Sequence, residues 1–249
     1  MSACRRGVMH DRCQQNKGAE VNTIDLNTLY DSTTQRTLRL WQHQRGNELV
    51  AQKSAYDPQK FAIGAGIQPV MSAEMRTLLQ TLTQITRYDP LADVMPEAAF
   101  HFTFLPVTLP LWEADEPLPA KTQELLRIWA NFQGAMVAIS DLRLVVLPGQ
   151  LLLAGIPDEQ SVALRQQFCT QILASSWEAE LRLRHVNTPL PAPFWHSTLL
   201  RYRAQCLPEH LQTFFLERQT CRYGDVCGAL TLTKAIYNWA IAYPLGQRE

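Results

Sequence analysis

The spacing of apolar residues changes several times along the chain, and each change marks an element. Residues 61–70 (FAIGAGIQPV) are an apolar run with the composition of a short strand, weakened by its glycines. Ser72 then precedes Met75, Leu78, Leu79, Leu82 and Ile85, a three-and-four spacing that predicts a helix with a serine cap. Residues 89–97, with Pro90 and Pro96, predict a loop. Residues 99–107 (AFHFTFLPV) have the composition of a strand. After a proline-rich stretch at 106–119, Leu125, Leu126, Ile128 and Trp129 predict a helix over about 120–132. Residues 137–147 and 151–156 predict a hairpin turning at Pro148-Gly149, and Pro157-Asp158-Glu159 opens a helix running to about 177.

A similar order then recurs. Residues 194–203 (FWHSTLLRYR) predict a strand, and Pro208-Glu209 starts a helix carrying Leu211, Phe214, Phe215 and Leu216. Tyr223-Gly224-Asp225 turns into a strand over 226–233, and 235–243 fits a last strand or a short helix. Strands and helices mixed in this order, with no glycine-rich strand-to-helix turn, predict an α+β fold rather than a doubly wound parallel sheet. Residues 1–56 differ: they are rich in Gln, Asn, Thr and Arg, and the first twenty or so show no periodicity and are expected to be mobile. Leu38, Trp41 and Leu49 place one narrow apolar stripe on a helix over 33–52. The expected organisation is an N-terminal extension, 1–56, lying against a core domain, 57–249.

Composition narrows the function classes. Lys plus Arg and Asp plus Glu are equal at 23 each, so no overall field attracts a long polyanion, and a protein coating nucleic acid is not expected. A small phosphorylated ligand in a local pocket remains compatible. The most apolar stretch, 142–156, is broken by Pro148-Gly149-Gln150, so no membrane span is expected. The first residues have no apolar core behind their arginines, which argues against a secretory signal. The six cysteines form no C-x-x-C pair and are expected to be reduced and structural, with the cytoplasm as default location and a monomer as default state.

Two short motifs carry the chemistry. Side chains at i and i+2 of a strand share a face, so His101 and Thr103 point one way while Phe100, Phe102 and Phe104 point into an apolar interior. His196 and Thr198 likewise share a face, opposite Trp195, Ser197 and Leu199. Face to face, the two strands would surround one pocket with two imidazoles and two hydroxyls. Those groups suffice to cleave a phosphodiester by acid–base catalysis. One neutral imidazole takes a proton from the attacking oxygen, an imidazolium protonates the leaving oxygen, and the threonines bond the non-bridging oxygens. No metal or other cofactor is then required.

Paired H-x-T strands in one chain, here His101-Phe102-Thr103-Phe104 and His196-Ser197-Thr198-Leu199, resemble the two-histidine (2H) phosphoesterase superfamily. That superfamily includes RNA 2′,3′-cyclic phosphodiesterases and bacterial 2′-5′ RNA ligases. Leu200-Arg201-Tyr202 also looks like the second-motif strand of some bacterial members. The resemblance implies a bilobal fold of two pseudo-symmetric halves, each an antiparallel sheet backed by helices, with the active-site cleft between them. It further implies a metal-independent phosphodiesterase acting on a cyclic or 2′-linked nucleotide or RNA-end phosphodiester. His101 and His196 would be the acid–base pair and Thr103 and Thr198 the phosphate contacts, with neither histidine assigned as acid or base. The substrate would be a small nucleotide or an RNA terminus. A non-catalytic nucleotide- or RNA-end-binding module and a 2′-5′ ligase are the alternatives.

Other residues carry weaker signals. With regular alternation, Tyr202 shares the face of the second motif while Arg201 and Arg203 lie behind it, so Tyr202 is a possible secondary site residue or a plain strand aromatic. His185 either lines the cleft or sits in a solvated loop. His10, His43 and His210 have no partner at metal-ligand spacing, and no metal site is expected.

Overall fold

The computed structural model describes residues 25–44 and 57–246. Its fold is α+β and contains two antiparallel sheets. In chain order the helices are α1 (Leu26–Gln44), α2 (Ala73–Ile85), α3 (Thr122–Trp129), α4 (Glu159–Leu173), α5 (Glu178–Arg184) and α6 (Glu209–Leu216). The strands are β1 (Ala62–Ile67), β2 (Ala92–Val94), β3 (Phe102–Pro106), β4 (Met136–Leu147), β5 (Gln150–Pro157), β6 (His196–Tyr202), β7 (Val226–Ala229), β8 (Thr231–Ala235) and β9 (Ala242–Pro244). One sheet runs β3-β1-β8-β9 and the other β2-β6-β5-β4-β7. Each therefore holds one motif: His101 directly precedes β3, and His196 opens β6.

Local signals account for most of these elements. The Ser72 side chain accepts the Met75 N–H and starts α2, which buries Met75, Leu78, Leu79 and Leu82 on one face and leaves Ile85 exposed. The Asp158 carboxylate accepts the Ser161 N–H and starts α4. Helix α4 ends at Leu173, about four residues short of the expected 177, and α5 begins beyond a turn. Behind the motifs, Phe168 of α4 meets Phe104 of β3, Trp129 of α3 and Phe132 at centroid distances of 6.3, 5.3 and 5.0 Å. Phe104 in turn meets Trp195, next to His196, edge-on at 5.9 Å. One aromatic cluster thus backs both motifs. Burying each such ring stabilises the fold by about 1.5–3 kcal/mol, and the edge-to-face pairs add roughly 0.5–1.5 kcal/mol each.

The two sheets are interleaved along the chain rather than successive. The β4–β5 hairpin, which follows the first motif, pairs with β6 of the second. The run 226–233, expected as one strand, divides at buried Leu230: β7 pairs with β4 in one sheet, and β8 pairs with β1 in the other. The Pro-containing segment expected as a loop contributes β2, a three-residue edge strand paired with β6. Residues 236–241 form a turn, and only its far side, β9, is strand.

Helix α1 begins seven residues before the expected start and packs on β4 and β5. Its buried residues Tyr30, Thr33, Thr37 and Trp41 recur every three or four positions, so a largely polar helix docks through one narrow stripe. Leu49, counted in the expected stripe, and the first twenty residues lie outside the described residues. No described helix is long and apolar enough to cross a membrane.

Candidate functional site

The two motifs meet in one cavity. His101 and Thr103 from one sheet and His196 and Thr198 from the other line a pocket of about 220 Å³. Phe100, Phe102 and Phe104 behind the first motif and Trp195, Ser197 and Leu199 behind the second are all buried, and all but Ser197 are apolar.

A bulge follows each motif threonine. Pairing between β1 and β3 runs Gly66 with Thr103 and then Ala65 with Leu105, leaving Phe104 as an extra residue. Pairing between β5 and β6 runs Leu152 with Thr198 and then Leu151 with Leu200, leaving Leu199 extra. One extra residue reverses the side-chain alternation beyond it. Arg201 therefore lines the cavity, and Tyr202, expected to share the motif face, does not. The Tyr202 hydroxyl instead donates to Asp89, and burial pushes its pKa up to about 12. Arg203 donates to the Pro90 carbonyl at the surface.

The two histidines are held differently. The His101 Nδ1–H donates to Ala99 O at 2.8 Å, which leaves the Nε2 lone pair for proton transfer. Its ring lies flat on Trp239, with centroids 4.7 Å apart and planes 6° from parallel. Trp239 reaches it from a turn in which its own φ is +60°, a conformation that costs a non-glycine residue on the order of 1–3 kcal/mol. Gly66 makes the room: a Cβ there would stand 2.5 Å from Phe102 O and 2.9 Å from the Trp239 ring. His196 has Phe194 edge-on at 5.9 Å, but its buried Nδ1 meets no hydrogen-bond partner among the described residues.

The lining of the cavity carries positive charge. Arg165, Arg184 and Arg201 line the cavity, and among the described residues no Asp or Glu does. Burial lowers the His101 pKa to about 3, opposed by the bond to Ala99 and reinforced by Arg201 and His196. Burial also lowers His196 to about 4, with Arg201 and Arg165 adding to the effect. Both rings are thus neutral at pH 7 until negative charge arrives. Arg165 is itself buried and lies 3.7 Å over Trp195, while its guanidinium donates to Phe194 O and Pro193 O. His185 lines the cavity and is buried, not in a solvated loop. Its Nε2–H donates to Pro106 O at 3.0 Å and its Nδ1 accepts from the Thr188 hydroxyl at 3.2 Å, so both nitrogens are committed to structure. No cluster of three or more His, Cys, Asp or Glu that could hold a metal ion occurs among the described residues.

The pattern along the sequence placed Arg201 behind the motif face and missed Arg165, Tyr237 and Trp239. Arg165 shares one helix face with Phe168, Cys169 and Ile172, and a charged residue on an apolar face was the available signal. Asn238 inside an apolar run marked the turn that presents Tyr237 and Trp239. Nothing in the residue pattern announced the bulge at Leu199. Tyr237 stacks under Arg201 at 5.1 Å and donates to Asp93 of β2 at 2.7 Å, so the edge strand that looked like a loop steadies the cavity wall.

No family model matches the sequence, and no curated protein does. Among solved structures, the chain is similar to E. coli LigT crystallised with 3′-AMP, at 13% identity over 76% of this chain and 96% of LigT, with a TM-score of 0.44. It is also similar to a phosphoesterase at 13% identity over 75% of this chain and 95% of the other, TM-score 0.46. TT0787 of Thermus thermophilus is similar at 13% identity over 76% of this chain and all of its own, TM-score 0.48.

Proposed function

We propose that this chain is a phosphodiesterase cleaving a cyclic or 2′-linked phosphodiester of a small nucleotide or RNA end by histidine acid–base catalysis. The observation that carries it is the convergence of both H-x-T pairs and Arg201 on one cavity that, among the described residues, has no carboxylate in its lining. His101, with its Nε2 lone pair presented, takes the proton of the attacking water. The water oxygen bonds to phosphorus, the bond to the leaving oxygen breaks, and His196 gives that oxygen its proton. Thr103, Thr198 and Arg201 hold the non-bridging oxygens as charge gathers there. Burial is the main cause that keeps His196 neutral, with Arg201 and Arg165 adding to it; the negative charge of a bound phosphate offsets both arginines and favours the imidazolium.

The test is a panel of 2′,3′-cyclic and 3′,5′-cyclic nucleotides, assayed with EDTA for wild type, His101→Ala and His196→Ala. Turnover by wild type and a fall of at least about 10² in both variants is expected, since each proton transfer is worth about 10²–10⁴. Activity that survives both substitutions, or that disappears with EDTA, overturns the mechanism. Binding of a nucleotide without turnover anywhere between about pH 5 and 8 would show a binding module instead.

A further inference from the structure

Helix α1 lies outside both motif sheets, yet one of its side chains is spliced into the strand ladder beside His196. Continuing the β5–β6 register one step past Ala154 and His196 brings Gly155 opposite Trp195. Such a pair ordinarily exchanges two backbone hydrogen bonds. Only one is made directly, from Gly155 N–H to Trp195 O at 3.1 Å. In place of the other, the Trp195 N–H donates to the Tyr30 hydroxyl at 3.1 Å, and that hydroxyl donates to Gly155 O at 2.9 Å. Tyr30 is fully buried, and burial pushes its phenol up to about 12, so the proton stays on the oxygen.

The surroundings are built around this insertion. Phe194 packs edge-on against Tyr30 at 5.0 Å and against His196 at 5.9 Å. Arg143 lies over the Tyr30 ring at 5.5 Å and bonds Asn27 of the same helix at 2.8 Å. On the side away from β6, Gly155 packs closely against β4: a Cβ there would stand 2.5 Å from Ser140 O, so the position has no room for a side chain. The backbone leading into His196 is therefore gripped from two sides, by Arg165 on the carbonyls of 193 and 194 and by Tyr30 on the N–H of 195. His101 is fixed through its own ring, by Ala99 and Trp239; among the described residues, nothing bonds His196 Nδ1 to do the same.

We infer that Tyr30 is a positioning residue: its hydroxyl, inserted between β5 and β6, sets where His196 stands in the cavity, and this gives α1 a role in the chemistry. The inference rests on the function proposed above. Its test compares Tyr30→Phe with Thr37→Val in the full chain. Thr37 is the control because it is buried on the same helix and donates to Val146 O at 3.0 Å, on β4, a strand that does not line the cavity. Thermal melts report any general loosening of α1. The catalytic readout is kcat against KM on the best nucleotide of the panel. The readout that needs no catalysis is the imidazole Cε1–H resonances, assigned by His101→Asn and His196→Asn.

Tyr30→Phe is expected to lower kcat about tenfold or more with KM within threefold, since misplacement by about 1 Å costs up to roughly 10². It should shift or broaden the His196 resonance and leave that of His101 in place. Thr37→Val should lower the melting temperature comparably and change neither resonance nor kcat. If Tyr30→Phe matches Thr37→Val in both kcat and the His196 resonance, Tyr30 only docks the helix and the inference is overturned. If wild type turns over no phosphodiester, the proposed function fails, and the His196 resonance alone decides whether Tyr30 positions that ring.

Discussion

Removing the indole that covers His101 is the sharpest perturbation of the cavity's electrostatics. Trp239→Gly takes away the flat ring 4.7 Å from the imidazole while a glycine keeps the φ of +60° without strain. The His101 pKa stands at about 3 against an ordinary 6.5, which at about 1.4 kcal/mol per pH unit is on the order of 5 kcal/mol against the imidazolium. Burial is the first cause, and Trp239 covers one of the ring's two faces, so exposing it should raise the His101 midpoint by about one to two pH units. His196, buried by other groups, should move much less. Losing a large buried side chain costs about 3–5 kcal/mol, and relief of the backbone strain returns on the order of 1–3 kcal/mol. The assay is a titration of both imidazole resonances with a thermal melt alongside. A His101 midpoint that stays near 3, in a protein whose melt shows the ring is gone, would refute the assignment of that burial to Trp239.

Further expectations follow from the same groups. Arg201→Met should weaken binding of inorganic phosphate by roughly ten- to a hundredfold, as loss of a charge-assisted bond implies, and raise the His196 midpoint; unchanged affinity by calorimetry would remove Arg201 from the anion site. Both free-protein imidazoles titrate well below 6.5, so the fraction holding the needed proton drops tenfold per pH unit, and log kcat/KM should fall with a slope near −1 from about pH 5 to 8. A flat profile there would mean that neither imidazole is the proton donor. Stability carries the matching sign. The folded values of about 3 and about 4 lie below the unfolded 6.5, so the unfolded chain binds more protons between them. The melting temperature should be highest above pH 6.5 and fall as pH drops toward 4, and His101→Asn should flatten that slope.

The motifs were legible because a strand has a two-residue period, and aromatic backs at 100, 102 and 104 leave His101 and Thr103 only one place to face. Helix caps at Ser72 and Asp158 were legible because a single side chain makes them. What could not be read was whatever depends on pairing between distant segments. The bulge at Leu199 exists only relative to β5, and it exchanges Arg201 for Tyr202 at the cavity. The division of 226–233 at Leu230 follows from two different partners, β4 and β1, competing for one run of apolar residues. Tyr30 lies 165 positions from the backbone it supports, in a segment whose composition suggested only an extension.

The central claim is that His101 and His196 act on one phosphodiester as a unit, and a double-mutant cycle in kcat tests it most directly. His101→Asn, whose amide can still reach Ala99 O, His196→Asn and the double variant would be measured with EDTA on a 2′,3′-cyclic nucleotide. Groups acting together are strongly non-additive, so each single change should cost at least about 10², and the double should be no more than about tenfold worse than the poorer single. Independent, multiplying losses, or a single variant that keeps wild-type turnover, would contradict it.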